Sequence, residues 1–333
     1  MTSLVYLTSA LIAFGVTALL GFWLIPFLHK LKFGQTIREI GPSWHKKKQG
    51  TPTMGGVMFI IGIAAAVCAC IPVFYAKGGR ETHLMQVKVF AGLCMAVGYG
   101  IIGFMDDYIG IVKKRNLGLT ERQKLVLQFL VAGAYLFSLY ICGEDTATWV
   151  PFLGSVDLGP VYYPLAAILI VGLTNAVNFS DGVDGLCTGV SFFVFLSLAL
   201  CGGVLSMTGL SAMGVAAAAG CIGFLIWNFH PAKVFMGDTG SLFLGGMVGA
   251  LAFGLDRPLL LLPLGIVYWC EILSVVIQVT YFKRTGGKRL FKMSPIHHHF
   301  EMCGWSEVKI CTVFGAVALI GGGLALAAVI FGI

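Results

Sequence analysis

Ten uninterrupted apolar stretches constrain this 333-residue chain more than any motif does, at about residues 4–28, 54–75, 88–105, 125–142, 161–179, 188–207, 211–228, 240–256, 258–282 and 309–331. Each has the roughly 17 to 25 residues that an α-helix needs to cross about 30 Å of hydrocarbon. A backbone in lipid must satisfy its own hydrogen bonds, which leaves helices and closed barrels. Barrels are excluded because the runs are too long and lack alternation. With 58% apolar residues, 11% charged residues and a mean hydropathy of +0.90, the chain lies far outside the composition of soluble globular proteins. The expected fold class is an all-α polytopic membrane protein with ten transmembrane helices. The first stretch reaches Phe27 and lacks a basic start, so it is expected to be a retained span rather than a secretory signal. No linker, repeat or soluble insertion breaks the pattern, and residues 1–333 are expected to form one domain.

Orientation follows from where lysine and arginine fall, because basic connections stay on the cytoplasmic side. Residues 29–50 carry six (Lys30, Lys32, Arg38, Lys46, Lys47, Lys48), residues 113–124 five (Lys113, Lys114, Arg115, Arg122, Lys124) and residues 283–292 five (Lys283, Arg284, Lys288, Arg289, Lys292). Lys233 and Lys309 bring the alternate connections to 18 of the 22 basic residues, leaving only Lys77, Arg80, Lys88 and Arg257 opposite. Both termini are therefore expected on the outer side. The net charge of +7 sits on cytoplasmic loops suited to anionic headgroups or a phosphate-bearing substrate rather than nucleic acid. Most of the ten cysteines lie in apolar spans and read as inert buried thiols.

On this topology the scarce acids gather at one face. Asp106 and Asp107 end the third span, Asn175, Asn178, Asp181 and Asp184 end the fifth, Asn228 ends the seventh, and Asp238 precedes the eighth. A lone Asp at a span end is commonly a helix cap. Five converging acids repel one another unless a cation or several donors compensate them. Mg²⁺ suits such hard oxygen ligands beside substrate phosphates, whereas zinc would call for a Cys and His pattern that is absent. The segment from Asn178 to Leu186 is too short for a calcium loop and lacks its closing Glu. Between Lys283 and Trp305, the run His297-His298-His299 offers phosphate donors or proton carriers near neutral pH, and three adjacent side chains cannot all face one ligand. Glu271, an acid inside the ninth span, is expected to face the protein interior or a polar cleft. A secondary transporter is the competing class, but its acids would cluster near the bilayer midplane and accompany repeated halves.

Gly50-Thr51-Pro52-Thr53-Met54-Gly55-Gly56, Asp106-Asp107-Tyr108, Asn178 through Leu186, Phe235-Met236-Gly237-Asp238 and Ser294 through Phe300 together resemble the phospho-N-acetylmuramoyl-pentapeptide transferases, the translocase I family of peptidoglycan synthesis. The resemblance runs the length of the chain. The pairing of the first and last segments separates this family from sister enzymes that move other aminosugar phosphates. It implies transfer of phospho-N-acetylmuramoyl-pentapeptide from its UDP donor to undecaprenyl phosphate in the bacterial plasma membrane, with Mg²⁺, giving lipid I and UMP. It also admits a homodimer. By resemblance, Asp238 holds the metal, Asp106 activates the acceptor phosphate and Asp107 supports it. Asn178, Asp181, Asp184, Asn228 and Phe235 form the donor pocket, with Phe235 under the uracil. Lys46, His297 and His298 approach the donor phosphate or sugar, Thr51 belongs to the substrate site, and Lys114 and Lys124 neutralise charge. A membrane-embedded acceptor and a cytoplasmic nucleotide donor can meet only at the inner face, where the acids are expected.

Overall fold

A computed structural model describes residues 2–31, 48, 50–75, 80–112 and 118–332. Twelve helices follow in order: α1 (Thr2–Lys30), α2 (Val57–Tyr75), α3 (Arg80–Val112), α4 (Glu121–Ile141), α5 (Tyr162–Phe179), α6 (Leu186–Val204), α7 (Thr208–Asn228), α8 (Gly237–Gly254), α9 (Leu261–Leu264), α10 (Ile266–Arg284), α11 (Ile296–Glu301) and α12 (Glu307–Phe331). Among the described residues, eight of them (α1, α3, α4, α5, α6, α7, α10 and α12) are long and apolar enough to cross a membrane.

The other two long helices, α2 and α8, are not among those eight. The described apolar part of α2 covers only Val57–Cys70. α8 is diluted with glycine and hydroxyl residues, and every residue from Thr239 to Gly254 is buried. A helix enclosed by other helices needs no lipid-facing side chains, and small residues let its neighbours close in. Gly246 lies against Tyr99 and Ala96 of α3, while a Cβ on Gly245 would fall 2.6 Å from the Thr174 Cα of α5. At Gly103 the approach is tighter still: an added Cβ would fall 2.1 Å from the Asp238 carbonyl oxygen. That contact presses the end of α3, with its Asp106-Asp107 pair, against the start of α8.

Two features depart from the sequence expectations. The apolar stretch 258–282 is broken into a 3-10 turn at Pro258–Leu260, the short α9 and then α10. Pro263 lies inside α9 and Gly265 separates it from α10. The acidic connection 143–160 contains an antiparallel hairpin, β1 (Ala147–Val150) and β2 (Gly154–Asp157), with Ala147 opposite Asp157. The hairpin is anchored at the end of the bundle remote from Asp106: Trp149 N–H donates to the Asp256 carbonyl at 3.4 Å, and the Arg257 guanidinium stands 4.1 Å from the Trp149 ring centre. Beneath it Lys88 is bound by both Asp256 oxygens at 2.8 Å and by Glu144 at 2.9 Å.

Candidate active site

The opposite end collects the C-termini of α3, α5, α7 and α10 with the N-termini of α4, α6, α8 and α12, and three local devices hold it in register. The α7–α8 connection bridges to the first motif: Phe235 N–H donates to Pro52 O at 2.9 Å, Gly55 N–H to Phe235 O at 2.8 Å and Gly56 N–H to Met236 O at 3.1 Å. Thr120 starts α4 with a reciprocal capping box to Gln123, while Asp106 Oδ1 accepts from Leu119 N–H at 2.7 Å. Asp107 caps α8 from outside its own helix, accepting from Asp238 N–H at 3.2 Å, Thr239 N–H at 3.0 Å and the Thr239 hydroxyl at 2.7 Å. An anion at a helix N-terminus is favoured by its unpaired amides and by the helix dipole.

These devices bring the expected carboxylates together around one lysine. Lys124, one turn into α4, donates to Asp238 Oδ2 and lies 3.7 Å from Asp106 Oδ2. Asn178 of α5 donates to Asp238 Oδ1 at 2.9 Å and to the Ser241 hydroxyl at 2.8 Å. The carboxyl of Asp181, in the turn between α5 and α6, has no hydrogen-bond partner among the described residues, while its backbone N–H donates to Asn178 O at 3.2 Å. Burial, with Asp238, Asp107 and Asp184 nearby, pushes its carboxyl up to about 8 despite the opposing influence of Lys48. Four carboxylates thus gather beside the Lys124 ammonium and the N-terminus of α8, with Lys48, itself bound to Asp184, also acting on Asp181.

Asp184 and Asn228 stand back from that group. Asp184 is buried and joins Lys48 at 2.7 Å, His230 Nδ1 at 3.1 Å and Ala232 N–H at 3.0 Å. Lys48 also reaches Glu307 at 2.6 Å. Asn228 accepts from the Thr188 hydroxyl at 2.8 Å and donates to Val234 O at 3.0 Å, so its amide braces the loop that leads to Asp238. Phe235 is half-buried in that loop. Thr51 lines a separate open cavity of about 460 Å³ with Ile25, His29, Gly50, Ala232 and Lys233. Lys46 and Lys114 lie outside the described residues.

The histidine run divides its work. His297 is buried, its Nδ1 3.0 Å from Glu271 Oε2. His298 Nδ1 lies 2.5 Å from Glu301, and His299 Nδ1 accepts from Lys292 N–H at 3.1 Å on the exposed side. Sequence reasoning did not single out Lys48, His230, Glu307 or Thr239. Lys48 borders the Gly50–Gly56 motif, whereas Glu307 resembles an ordinary helix-opening acid, and only the fold sets it beside Asp184.

Two groups are candidates for a cation. Ligand atoms of Asp184, His230 and Glu307 all lie within 4.8 Å of one another, but the Lys48 ammonium already bonds both carboxylates. Around Asp238 the balance is different: among the described residues Lys124 opposes Asp106, Asp107 and Asp238, Asp181 feels only the Lys48 ammonium that Asp184 and Glu307 already bind, and part of the charge on Asp107 is met by α8. That excess of hard oxygen donors fits a divalent cation such as Mg²⁺.

Residues 89–255 match the family model described as Glycosyl transferase family 4, and residues 48–60 match Phospho-N-acetylmuramoyl-pentapeptide-transferase signature 1. Among similar curated proteins, the phospho-N-acetylmuramoyl-pentapeptide-transferase of Heliobacterium modesticaldum is 48% identical over 313 residues, 93% of each chain. The proteins of the same name from Halalkalibacterium halodurans and Bacillus velezensis are 42% and 44% identical, covering 97% and 95% of each chain respectively.

Proposed function

The chain belongs to the phospho-N-acetylmuramoyl-pentapeptide transferase family, and on that premise we propose that it moves phospho-N-acetylmuramoyl-pentapeptide from UDP to undecaprenyl phosphate at the cytoplasmic face of the bacterial plasma membrane. The observation that carries this reading is the group of four carboxylates, Asp106, Asp107, Asp181 and Asp238, drawn from three separate chain segments, in which Lys124 pairs with Asp106 and Asp238 and burial beside the other acids pushes Asp181 up. Phosphoryl transfer asks a protein mainly to position its reactants and to neutralise developing charge. Asp238 would hold Mg²⁺, which would supply that neutralisation beside the donor diphosphate. Asp238 also binds Lys124 and Asn178, so the same oxygens hold the site together in the absence of substrate.

The remaining roles follow the family resemblance, and the geometry supports those of Asp106, Asp107, Asp184 and Asn228. Asp106, at the end of α3 and beside Lys124, acts on the acceptor phosphate, and Asp107 fixes the start of α8 and thereby Asp238. Asn178, at the C-terminal end of α5, and Asp181, in the α5–α6 turn, face the donor. Asp184 and Asn228 act one step back, through the 48–56 and 229–236 segments that they hold, and Phe235 offers a ring to the uracil. His297 and His298 reach the donor phosphate or sugar, with Lys46, Thr51 and Lys114 completing the substrate contacts. The architecture in this reading is a single domain of ten spans, with α2 and α8 added to the eight strongly apolar helices and both termini on the outer face.

The deciding experiment measures UMP release by the purified protein in detergent with undecaprenyl phosphate and Mg²⁺, comparing UDP-N-acetylmuramoyl-pentapeptide with UDP-N-acetylglucosamine. Release only with the muramoyl donor, dependent on lipid and metal, is expected. Release with the glucosamine donor assigns the chain to a sister activity, and release with neither rejects the reading.

A further inference from the structure

Glu271 occupies a position that a membrane helix can hardly tolerate without a purpose. It lies in α10, fully buried, and a carboxylate taken out of water is costly unless its lone pairs are used. Both of its side-chain hydrogen bonds go to one residue. Oε2 meets the backbone N–H of His297 at 3.4 Å and ring atom Nδ1 at 3.0 Å, while Oε1 has no partner. The same carboxylate therefore holds the start of α11 and the rotation of the imidazole.

The other edge of the ring points at the donor side of the candidate active site. His297 Nε2 is buried with no partner among the described residues, and a Cβ on Gly182 would fall 2.1 Å from it. Gly182 follows Asp181 in the α5–α6 turn, so the unpaired nitrogen faces the backbone between Asp181 and Asp184. A carboxylate that accepts Nδ1–H fixes which nitrogen carries the proton and leaves the other to a ligand. Simple packing explains neither atom: an apolar residue at position 271 would fill the helix interface without stranding Oε1 or orienting the ring.

Resting on the function proposed above, we propose that Glu271 is a positioning residue that locks His297 with Nδ1 protonated and Nε2 presented, beside Gly182, as the acceptor for a hydroxyl of the donor's sugar. Glu271 itself does not touch the substrate. Its effect passes through His297, so the two residues act as one unit whose losses do not multiply.

The test uses the full-length protein in detergent, with UMP release measured for E271A, E271Q, H297A and E271A/H297A. E271A is expected to lower kcat by about 10²-fold, the scale of a misplaced reacting contact, with the KM for undecaprenyl phosphate unchanged. E271Q, whose amide oxygen still accepts Nδ1–H, should recover most of that loss, and the double variant should match H297A. Multiplying losses, an E271Q no better than E271A, or an E271A within about twofold of the parent overturns the proposal. Because E271A can fail to fold, histidine ¹⁵N spectra of the unaltered protein supply an independent reading, with the His297 signal assigned by its absence in H297A. A protonated Nδ1 supports the dyad, and a bare Nδ1 overturns it. The spectra do not depend on turnover, so a parent protein that releases no UMP rejects the proposed function while the dyad is still judged.

Discussion

At Gly182 a single methyl group decides whether the His297 ring can keep its place, because the Cβ of any other residue would overlap Nε2. Gly182→Ala should lower turnover by about 10²-fold in the parent protein, yet cost little further in an H297A background, where the overlap is gone. Equal losses in both backgrounds would show that the turn, not the ring, is what the methyl group disturbs. Asp238 gives a simpler expectation. Asp238→Ala should abolish Mg²⁺-dependent UMP release, by at least about 10²-fold, while the detergent-solubilised fold survives, since the change also relieves repulsion among Asp106, Asp107 and Asp181. Near-normal activity would remove the metal assignment. Asp181 adds a pH dependence. Its carboxyl rises from 3.8 to about 8 on folding, chiefly by burial. Between those values the metal-free folded chain holds a proton that the unfolded chain has released. The stabilisation is complete at low pH and is lost as pH climbs through about 8. In EDTA, the unfolding temperature of the parent should therefore fall relative to Asp181→Asn as pH is raised from about 5 to about 8.5. A constant difference between the two proteins would contradict this.

Among the elements, the first turn of α4 shows how a local signal places a functional side chain. Thr120 and Gln123 cap the helix reciprocally, and Lys124 follows at the next position with its amide on the Thr120 carbonyl at 2.9 Å. Thr120→Ala should cost about 1 kcal/mol of local stability, typical of a lost N-cap, and Thr120→Ser should retain most of it. Hydrogen exchange at residues 121–124 reads the fraying directly, and the UMP-release rate should fall with it as Lys124 loses its fixed relation to Asp238. Unchanged exchange would mean that tertiary contacts, not the cap, hold the turn. Such a cap is legible in sequence, as are the apolar lengths of the spans and the convergence of Asp106, Asp107 and Asp238. The cross-chain cap on α8 is not legible, because the anion at its N-terminus comes from Asp107, 131 residues away. Nor could Glu307 be joined to Asp184, or Glu271 to His297, by spacing alone. Sequence periodicity reports the face of one element, whereas these pairs depend on which helix ends the bundle brings side by side. The break at Pro263 and Gly265 was hidden by unbroken apolarity, and the hairpin by strands only four residues long.

Across the whole molecule, α3 connects two ionic clusters of opposite character. Its C-terminal end carries Asp106 into a group with an excess of negative charge that a substrate and metal can balance. Near its other end, Lys88 is 3% exposed and already matched by Glu144 and Asp256, below the β1–β2 hairpin. Eighteen helical residues separate Lys88 from Asp106, about 27 Å along the axis. Lys88→Met should therefore leave the inner site's KM values and its metal dependence intact. Stability should suffer, because Glu144 loses its buried partner while Asp256, its side chain 37% exposed, is partly rescued by water, so the loss should fall short of the about 3–5 kcal/mol of a fully buried ion pair broken from one side. Thermal unfolding in detergent measures the loss, and steady-state kinetics well below the unfolding temperature measures the site. The combined variant Lys88→Met, Glu144→Gln, Asp256→Asn should regain much of the stability, since uncharged groups carry less of the desolvation cost that the lysine had offset. If the single change alters donor affinity as strongly as stability, the two ends of α3 are coupled through the helix and the outer cluster belongs to the working parts of the enzyme. If stability alone changes, the outer cluster is a clamp that joins α3, the α8–α9 connection and the hairpin, and leaves the chemistry to the inner end.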